Sequence, residues 1–211
     1  QNNVYREILE HVSYDEGLKY LDILKYRKDG MLEKAIDTVL VSDKIGNPIK
    51  FNYIGYKIPF SPTTLRYVKV ASDLKKLFGA DLGNIAEIGC GYGGQAFVND
   101  QILDIEAVKL FDLPEVNKLI KRYLNSHLMR GSFKTTTLNE EKSEKYDLVI
   151  SNYGFSELPK TLQIKYMEKV LTNSKMGYLT MNTGGAKNFD DSDASNKLTI
   201  DEIRQYLPDI T

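Results

Sequence analysis

The sequence predicts an α/β protein with a doubly wound parallel sheet, and three observations lead there. From Gly79 onward, short apolar runs alternate with stretches of helical period, the texture of strand and helix units. A cluster of glycines at 89, 91, 93 and 94 stands directly behind the first of those runs, where a chain turning sharply from strand to helix can bring bare amides close to a ligand. An acidic residue, Asp112, stands at the end of the next run, where a strand's carboxyl end presents side chains to a ligand.

The elements follow in order. Residues 4–38 carry apolar positions at intervals of three and four (Ile8, Leu9, Val12; Leu18, Leu21, Leu24), which predicts helices broken at Lys28-Asp29-Gly30. Residues 42–60 mix glycine, proline and aromatics with few charges and read as irregular or short-stranded. They lead into a helix that opens at Ser61-Pro62-Thr63-Thr64 and runs to about Phe78. Then come a strand at 85–88, a helix at 94–102, a strand at 107–111 and a helix at 114–124 opened by Pro114. Strands at 132–136 and 147–150, a helix at 159–171, a strand at 177–181 and a short helix at 200–207 complete the pattern. Residues 1–78 form a helical N-terminal region on this reading, and residues 79–211 the sheet domain.

Composition narrows the function. A formal net charge of -1 argues against a nucleic-acid binder, whose footprint is a basic excess. No apolar run approaches a membrane span, and "QNNVYREILE" is no signal peptide. One cysteine, Cys90, excludes an internal disulfide framework and suits a reducing cytoplasm; its place among glycines marks it as a small residue in a turn rather than a nucleophile. The 14 tyrosines would suit a sugar-binding surface, although core packing is their commoner use.

The glycines satisfy two patterns at once. Gly89, Gly91 and Gly94 match the dinucleotide fingerprint G-x-G-x-x-G, while Glu87 with Gly89, Gly91 and Gly93 matches E-x-G-x-G-x-G. Asp112 serves either, because a carboxylate can accept from both hydroxyls of a ribose; its alternative role is a helix cap before Pro114.

Three segments separate the patterns. "AEIGCGYGGQ", "LFDLPEV" and "YDLVISNYGFSELP" resemble, in order and spacing, class I S-adenosylmethionine-dependent methyltransferases, and with a preceding "SPTTLRY" they are most similar to a family of bacterial sugar O-methyltransferases. The resemblance covers residues 58–181 and implies a Rossmann-like sheet. It implies S-adenosylmethionine as cofactor and S-adenosylhomocysteine as product, with a small-molecule acceptor such as a sugar of a surface glycan. On it, Gly89, Cys90, Gly91 and Gly93 border the methionine part, Glu87 organises the methionine amine, Asp112 holds the ribose and Gln95 reaches a polar group. Leu113 and Thr137-Leu138 are candidates for the adenine slot, and Asn152 and Tyr153 face the methyl. The N-terminal helices then read as a lid and acceptor platform with Arg66 and Tyr67 as contacts, or as a packing appendage for a homo-oligomer. One departure from the family is expected at the C-terminal edge: the chain stops at Pro208-Asp209-Ile210-Thr211, where a sixth strand should begin, so that either the chain is cut short or the sheet is completed by other means, and the start at Gln1 rather than Met reads as that of a trimmed chain or a fragment.

For the general base, Glu157 is the preferred candidate, with the alternative that it serves the start of the following helix. Tyr153 is placed to orient the acceptor. His11 and His127 lie outside the motifs, His127 in an expected surface turn. Asp190, Asp191 and Asp193 form an oxygen-rich cluster that could take Mg²⁺, but a solvated acidic loop is the expected state, so no metal ligand is assigned. An NAD-dependent oxidoreductase and a non-catalytic cofactor-binding scaffold are the competing functions.

Overall fold

The computed structural model describes residues 12–39, 42–182 and 197–207. The chain divides into two compact units: Gln1–Leu82 with Gly93–Ile105 and Arg122–Gly131, and Gly83–Tyr92 with Glu106–Lys121 and Ser132–Thr211. These boundaries cross strands and a helix, so the units follow packing rather than position in the chain.

In the first unit, α1 (Tyr14–Arg27) opens with a capping box in which Glu16 N donates to Ser13 Oγ and Ser13 N donates to the Glu16 carboxylate. Lys28 ends it in the left-handed region at φ 52°, and Gly30 at φ 77° turns the chain into α2 (Met31–Val39), the break expected at 28–30. The Arg27 guanidinium ties that corner to α3 (Pro62–Phe78), pairing with Asp73 at 2.5 Å and donating to Ser72 Oγ, which in turn donates to Asp29. Both α2 and α3 pack on α4 (Gly94–Ile102), and α1 on α3. Leu21, Leu24, Leu32, Ala71 and Leu74 are buried among them. The irregular segment holds one antiparallel bridge, Phe51 with Phe60. Buried Asp43 accepts from Ser61 N at 2.9 Å and Thr64 Oγ1 at 2.5 Å, anchoring the start of α3, where the Ser61 side chain makes no capping bond. The pattern at residues 4–10, and His11, lie outside the described residues.

The sheet contains β1 (Asp81–Ile88), β2 (Asp104–Phe111), β3 (Ser132–Thr136), β4 (Tyr146–Asn152) and β5 (Ser174–Thr180) in the order β3-β2-β1-β4-β5. The ladders of β2 with β3, β1 with β4 and β4 with β5 are parallel. Strand order reverses between β1 and β4, and in open α/β sheets such a reversal opens a crevice at the carboxyl ends. Three strands start earlier than their apolar runs suggest, β1 at Asp81, β2 at Asp104 and β5 at Ser174. In β1 and β2 the cause is uneven burial: the carboxyl half is buried and, Glu87 and Lys109 apart, apolar, while the amino half is partly exposed and hides its pattern.

The core of the second unit joins Ile88, Phe111, Tyr146 and Val149 of the sheet to Phe155, Tyr166, Met167, Val170 and Leu171, with Leu198 and Ile203. The helix expected at 159–171 forms at Lys160–Lys169, with a short turn on either side. A single turn α6 (Gly154–Glu157) comes first, Pro159 then stands outside α7 (Lys160–Lys169), and a 3-10 turn Leu171–Asn173 follows. Pro159 explains the break, since the residue before a proline avoids helical angles. Helices α5 (Pro114–Leu124) and α8 (Ile200–Tyr206) match their expected starts. Lys109 is an unexpected buried cation on β2, and it is paired with Glu141 at 2.6 Å and Glu144 at 2.9 Å, as a buried charge must be. Among the described residues the sheet has five strands, with β5 at its edge.

Candidate functional site

Behind β1, Gly89 turns the chain at φ 72° and its N–H donates to Phe111 O at 3.0 Å. A Cβ on Gly89 would stand 2.7 Å from Gly154 Cα, and one on Gly154 would stand 2.8 Å from Gly89 Cα and 3.0 Å from Ile88 O. The segments that follow β1 and β4 therefore meet backbone to backbone at the reversal of strand order. Wholly buried Ser151 fastens the meeting: its Oγ donates to Ile88 O and accepts from Phe155 N, each at 2.9 Å.

Two carboxylates face this turn. Asp112 Oδ2 accepts from Cys90 N at 2.8 Å and Gly91 N at 3.2 Å, and Oδ1 accepts from Leu113 N at 2.8 Å. Asp112 thus holds the glycine loop and does not cap α5, whose first turn instead closes from Asn117 N to Leu113 O. Burial raises its pKa against the opposing pull of the three amides. Glu87 is 3% exposed, and its Oε2 makes no hydrogen bond. Burial, and after it the neighbouring Asp112, push the Glu87 carboxyl up to about 8. Cys90 is buried with its thiol donating to Glu87 O at 3.1 Å. Burial and the same two acids raise its pKa well above the ordinary thiol value, which disfavours the thiolate a nucleophile needs.

At the end of β4, Asn152 Oδ1 accepts from Thr180 Oγ1 at 3.2 Å, while its Nδ2 is buried without a partner. Tyr153 adopts φ 70°, a left-handed angle uncommon for a bulky residue; its N–H donates to Thr180 O at 2.8 Å and its carbonyl accepts from Ser156 Oγ at 2.7 Å. Glu157 ends α6 with its side chain exposed. Pro159 is the N-cap of α7 and no side chain caps that end, so the capping alternative for Glu157 has no counterpart here. Leu113 is 66% exposed beside Asp112, whereas Leu138 is buried in the core on a turn capped by Thr137 and Glu140.

Sequence reasoning passed over Ser151, Thr180 and Asn117, whose Nδ2 donates to Asp112 O at 3.2 Å and Thr136 O at 2.8 Å and so joins the ends of β2 and β3. A serine within the apolar run "LVISNY" was a signal for the first; the other two carried none.

Two of the predicted cofactor residues, and the expected contacts Arg66 and Tyr67, belong to the first unit. Gly93 is the N-cap of α4, in the left-handed region. Gln95 is buried, with Nε2 donating to Tyr67 O at 3.1 Å and Asn99 Oδ1 at 2.8 Å, and Oε1 unpartnered. The Arg66 guanidinium lies 5.3 Å from the Tyr67 ring centroid. His127 lies in the expected turn after α5, but its ring is half-buried rather than solvated. It stacks on Phe97 at 4.1 Å between centroids and abuts Tyr123, and burial lowers its pKa. The Asp190, Asp191 and Asp193 cluster lies outside the described residues, among which no group of three or more His, Cys, Asp or Glu is placed to hold a metal. No described helix is long and apolar enough to cross a membrane.

No family model matches the sequence, and no curated protein matches it either. Solved structures do. A candidate sarcosine dimethylglycine methyltransferase of Galdieria sulphuraria matches with TM-score 0.52 at 14% identity, over 82% of this chain and 72% of that one. The Thermoplasma acidophilum 1320 protein matches with TM-score 0.50 at 18% identity, over 82% of this chain and 75% of that one. The fold is Rossmann-like, as in these two structures. At these identities the likeness speaks for the fold alone.

Proposed function

We propose that this chain is an S-adenosylmethionine-dependent methyltransferase acting on a hydroxyl of a small molecule, with a sugar as the leading acceptor class. The observation that carries the reading is Glu87, a buried carboxylate with an unpartnered oxygen directly before the glycine loop. An orphaned buried acid is costly unless a positive group meets it, and the ammonium of a methionine moiety is such a group. A dinucleotide would bring its anionic pyrophosphate to the same loop and leave Glu87 without a positive group to meet it. The residues therefore fit the adenosyl cofactor better than NAD.

When bound, S-adenosylmethionine supplies a methyl already made electrophilic by its sulfonium. The chain has to orient the acceptor, which provides much of the rate enhancement, and to take up its proton. Glu87 is assigned the methionine amine, Asp112 the ribose diol, and Gly89, Cys90, Gly91 and Gly93 the backbone along the methionine part. Gln95 is assigned a polar contact, and Leu113 and Leu138 the adenine. Asn152 is assigned the cofactor's methyl, Tyr153 orients the acceptor, and Glu157, with its carboxylate open to solvent, removes the proton. Residues 79–211 are assigned the cofactor role and residues 1–78 acceptor selection. Calorimetric titration with S-adenosylhomocysteine and with NADH tests the reading: binding of the first alone is expected, and binding of NADH alone, or of neither, overturns it.

A further inference from the structure

We propose that Thr180 is a positioning residue that sets the Asn152 side chain as a hydrogen-bond donor toward the methyl acceptor, so that the site takes an oxygen nucleophile; this rests on the methyltransferase reading. The last rung of the β4 and β5 ladder pairs Asn152 with Thr180. The Thr180 hydroxyl donates to Asn152 Oδ1 at 3.2 Å, and the Thr180 carbonyl accepts from Tyr153 N at 2.8 Å, so one residue of β5 holds two successive residues at the end of β4. With Oδ1 occupied, the amide presents Nδ2, whose protons have no partner although the atom is buried. A buried donor left unsatisfied carries a desolvation cost that an incoming acceptor atom removes.

That polarity bears on the chemistry. A hydroxyl that loses its proton to a base develops negative charge on oxygen, and an N–H aimed at it stabilises that charge. The oxygen lone pair forms the new O–C bond, the C–S bond breaks with its electron pair kept on sulfur, and the hydroxyl proton passes to the Glu157 carboxylate or to solvent. An amine would point N–H bonds at the same donor and gain nothing from it. Discrimination between oxygen and nitrogen acceptors is thereby built into the pairing of Thr180 with Asn152.

The probe is 4-nitrophenol, whose phenolate is coloured, titrated with the full chain saturated in S-adenosylhomocysteine. One charge-assisted hydrogen bond should raise the bound phenolate-to-phenol ratio roughly ten-fold over that in buffer. Asn152→Asp, which replaces the donor with a negative acceptor, should reverse the effect; Thr180→Val should reduce it, and Thr180→Ser, which keeps the hydroxyl, should restore it. S-adenosylhomocysteine affinity, measured separately, should stay near that of the parent in Thr180→Val and Thr180→Ser, and every variant is assayed at a concentration that saturates it. A probe whose ionisation the parent protein leaves unchanged, or whose change survives Asn152→Asp and Thr180→Val, overturns the proposal. Loss of S-adenosylhomocysteine binding by the parent chain itself would instead strike the methyltransferase reading.

Discussion

Replacing Glu87 by glutamine should make the ligand-free protein more stable at alkaline pH while weakening its hold on the cofactor. The folded chain keeps the Glu87 proton until about pH 8, whereas its ordinary value is 4.5. Between those values the unfolded chain has released a proton that the folded chain still binds, so stability falls as pH rises through the window. The slope is at most about 1.4 kcal/mol per pH unit, and across the whole window the loss approaches roughly 5 kcal/mol as an upper bound. Glu87→Gln keeps the shape and removes the titration. Urea unfolding of both proteins from about pH 5 to about pH 8 therefore reports this group together with its coupling to Asp112 and Cys90, the more distant titrations being common to the two. The parent should lose stability relative to the variant as pH rises, and parallel curves would refute the argument from burial. Ligand binding provides the second half of the test. A cationic amine needs the ionised carboxylate, so the parent's affinity for S-adenosylhomocysteine should rise up to about ten-fold per pH unit below pH 8, a dependence that Glu87→Gln abolishes. Retained dependence in the variant would remove Glu87 from the amine site.

Asp112→Ala should abolish the thermal stabilisation by S-adenosylhomocysteine, which mass action sets at about 2.7 kcal/mol for ligand at one hundred times its dissociation constant; an undiminished shift would show that Asp112 serves only the loop amides. Gly154→Ala pushes a methyl group against the backbone of Gly89 and Ile88, neither of which is a side chain that can turn aside. Urea denaturation should find it about 1–3 kcal/mol less stable, and a neutral outcome would mean that the two segments separate easily.

The alternation of strands and helices after Gly79 was legible because β1, β2 and β4 carry buried, largely apolar runs, and the starts of α4 and α5 were legible from glycine and proline. The amino halves of β1 and β2 were not, since their exposure breaks the apolar pattern. Glu87 and Asp112 could be read as candidates from the motif, but their states could not. That Asp112 holds Cys90 N and Gly91 N, and that Glu87 is left without a partner on Oε2, are consequences of where two neighbouring strands end. Thr180 shows the same limit more sharply. Its contact with Asn152 spans 28 residues and follows from the register of β4 on β5, which no local pattern announces. The turn in "LNSHLMRG" was legible from its composition, whereas the stacking of His127 on Phe97, which α4 supplies, was not.

Tyr153 puts the strain at this crossing within reach of measurement. Its φ of 70° is unfavourable for any residue with a Cβ and ordinary for glycine. The angle is imposed from outside, by Thr180 O on the amide and Ser156 Oγ on the carbonyl, with Glu157 N closing the following turn. Comparing Tyr153→Gly with Tyr153→Ala cancels the loss of the ring, which both share, and leaves the backbone. At most positions glycine would be the less stable of the two by about 0.5–1 kcal/mol. Here the order should reverse, with Tyr153→Gly more stable than Tyr153→Ala by about 1–2 kcal/mol in urea unfolding. If alanine is the more stable, the left-handed angle carries no strain and its place beside Asn152 has no bearing on the site. If glycine is, the fold sustains an unfavourable angle where the β4 segment meets Gly89, and such an angle persists only where its surroundings enforce it.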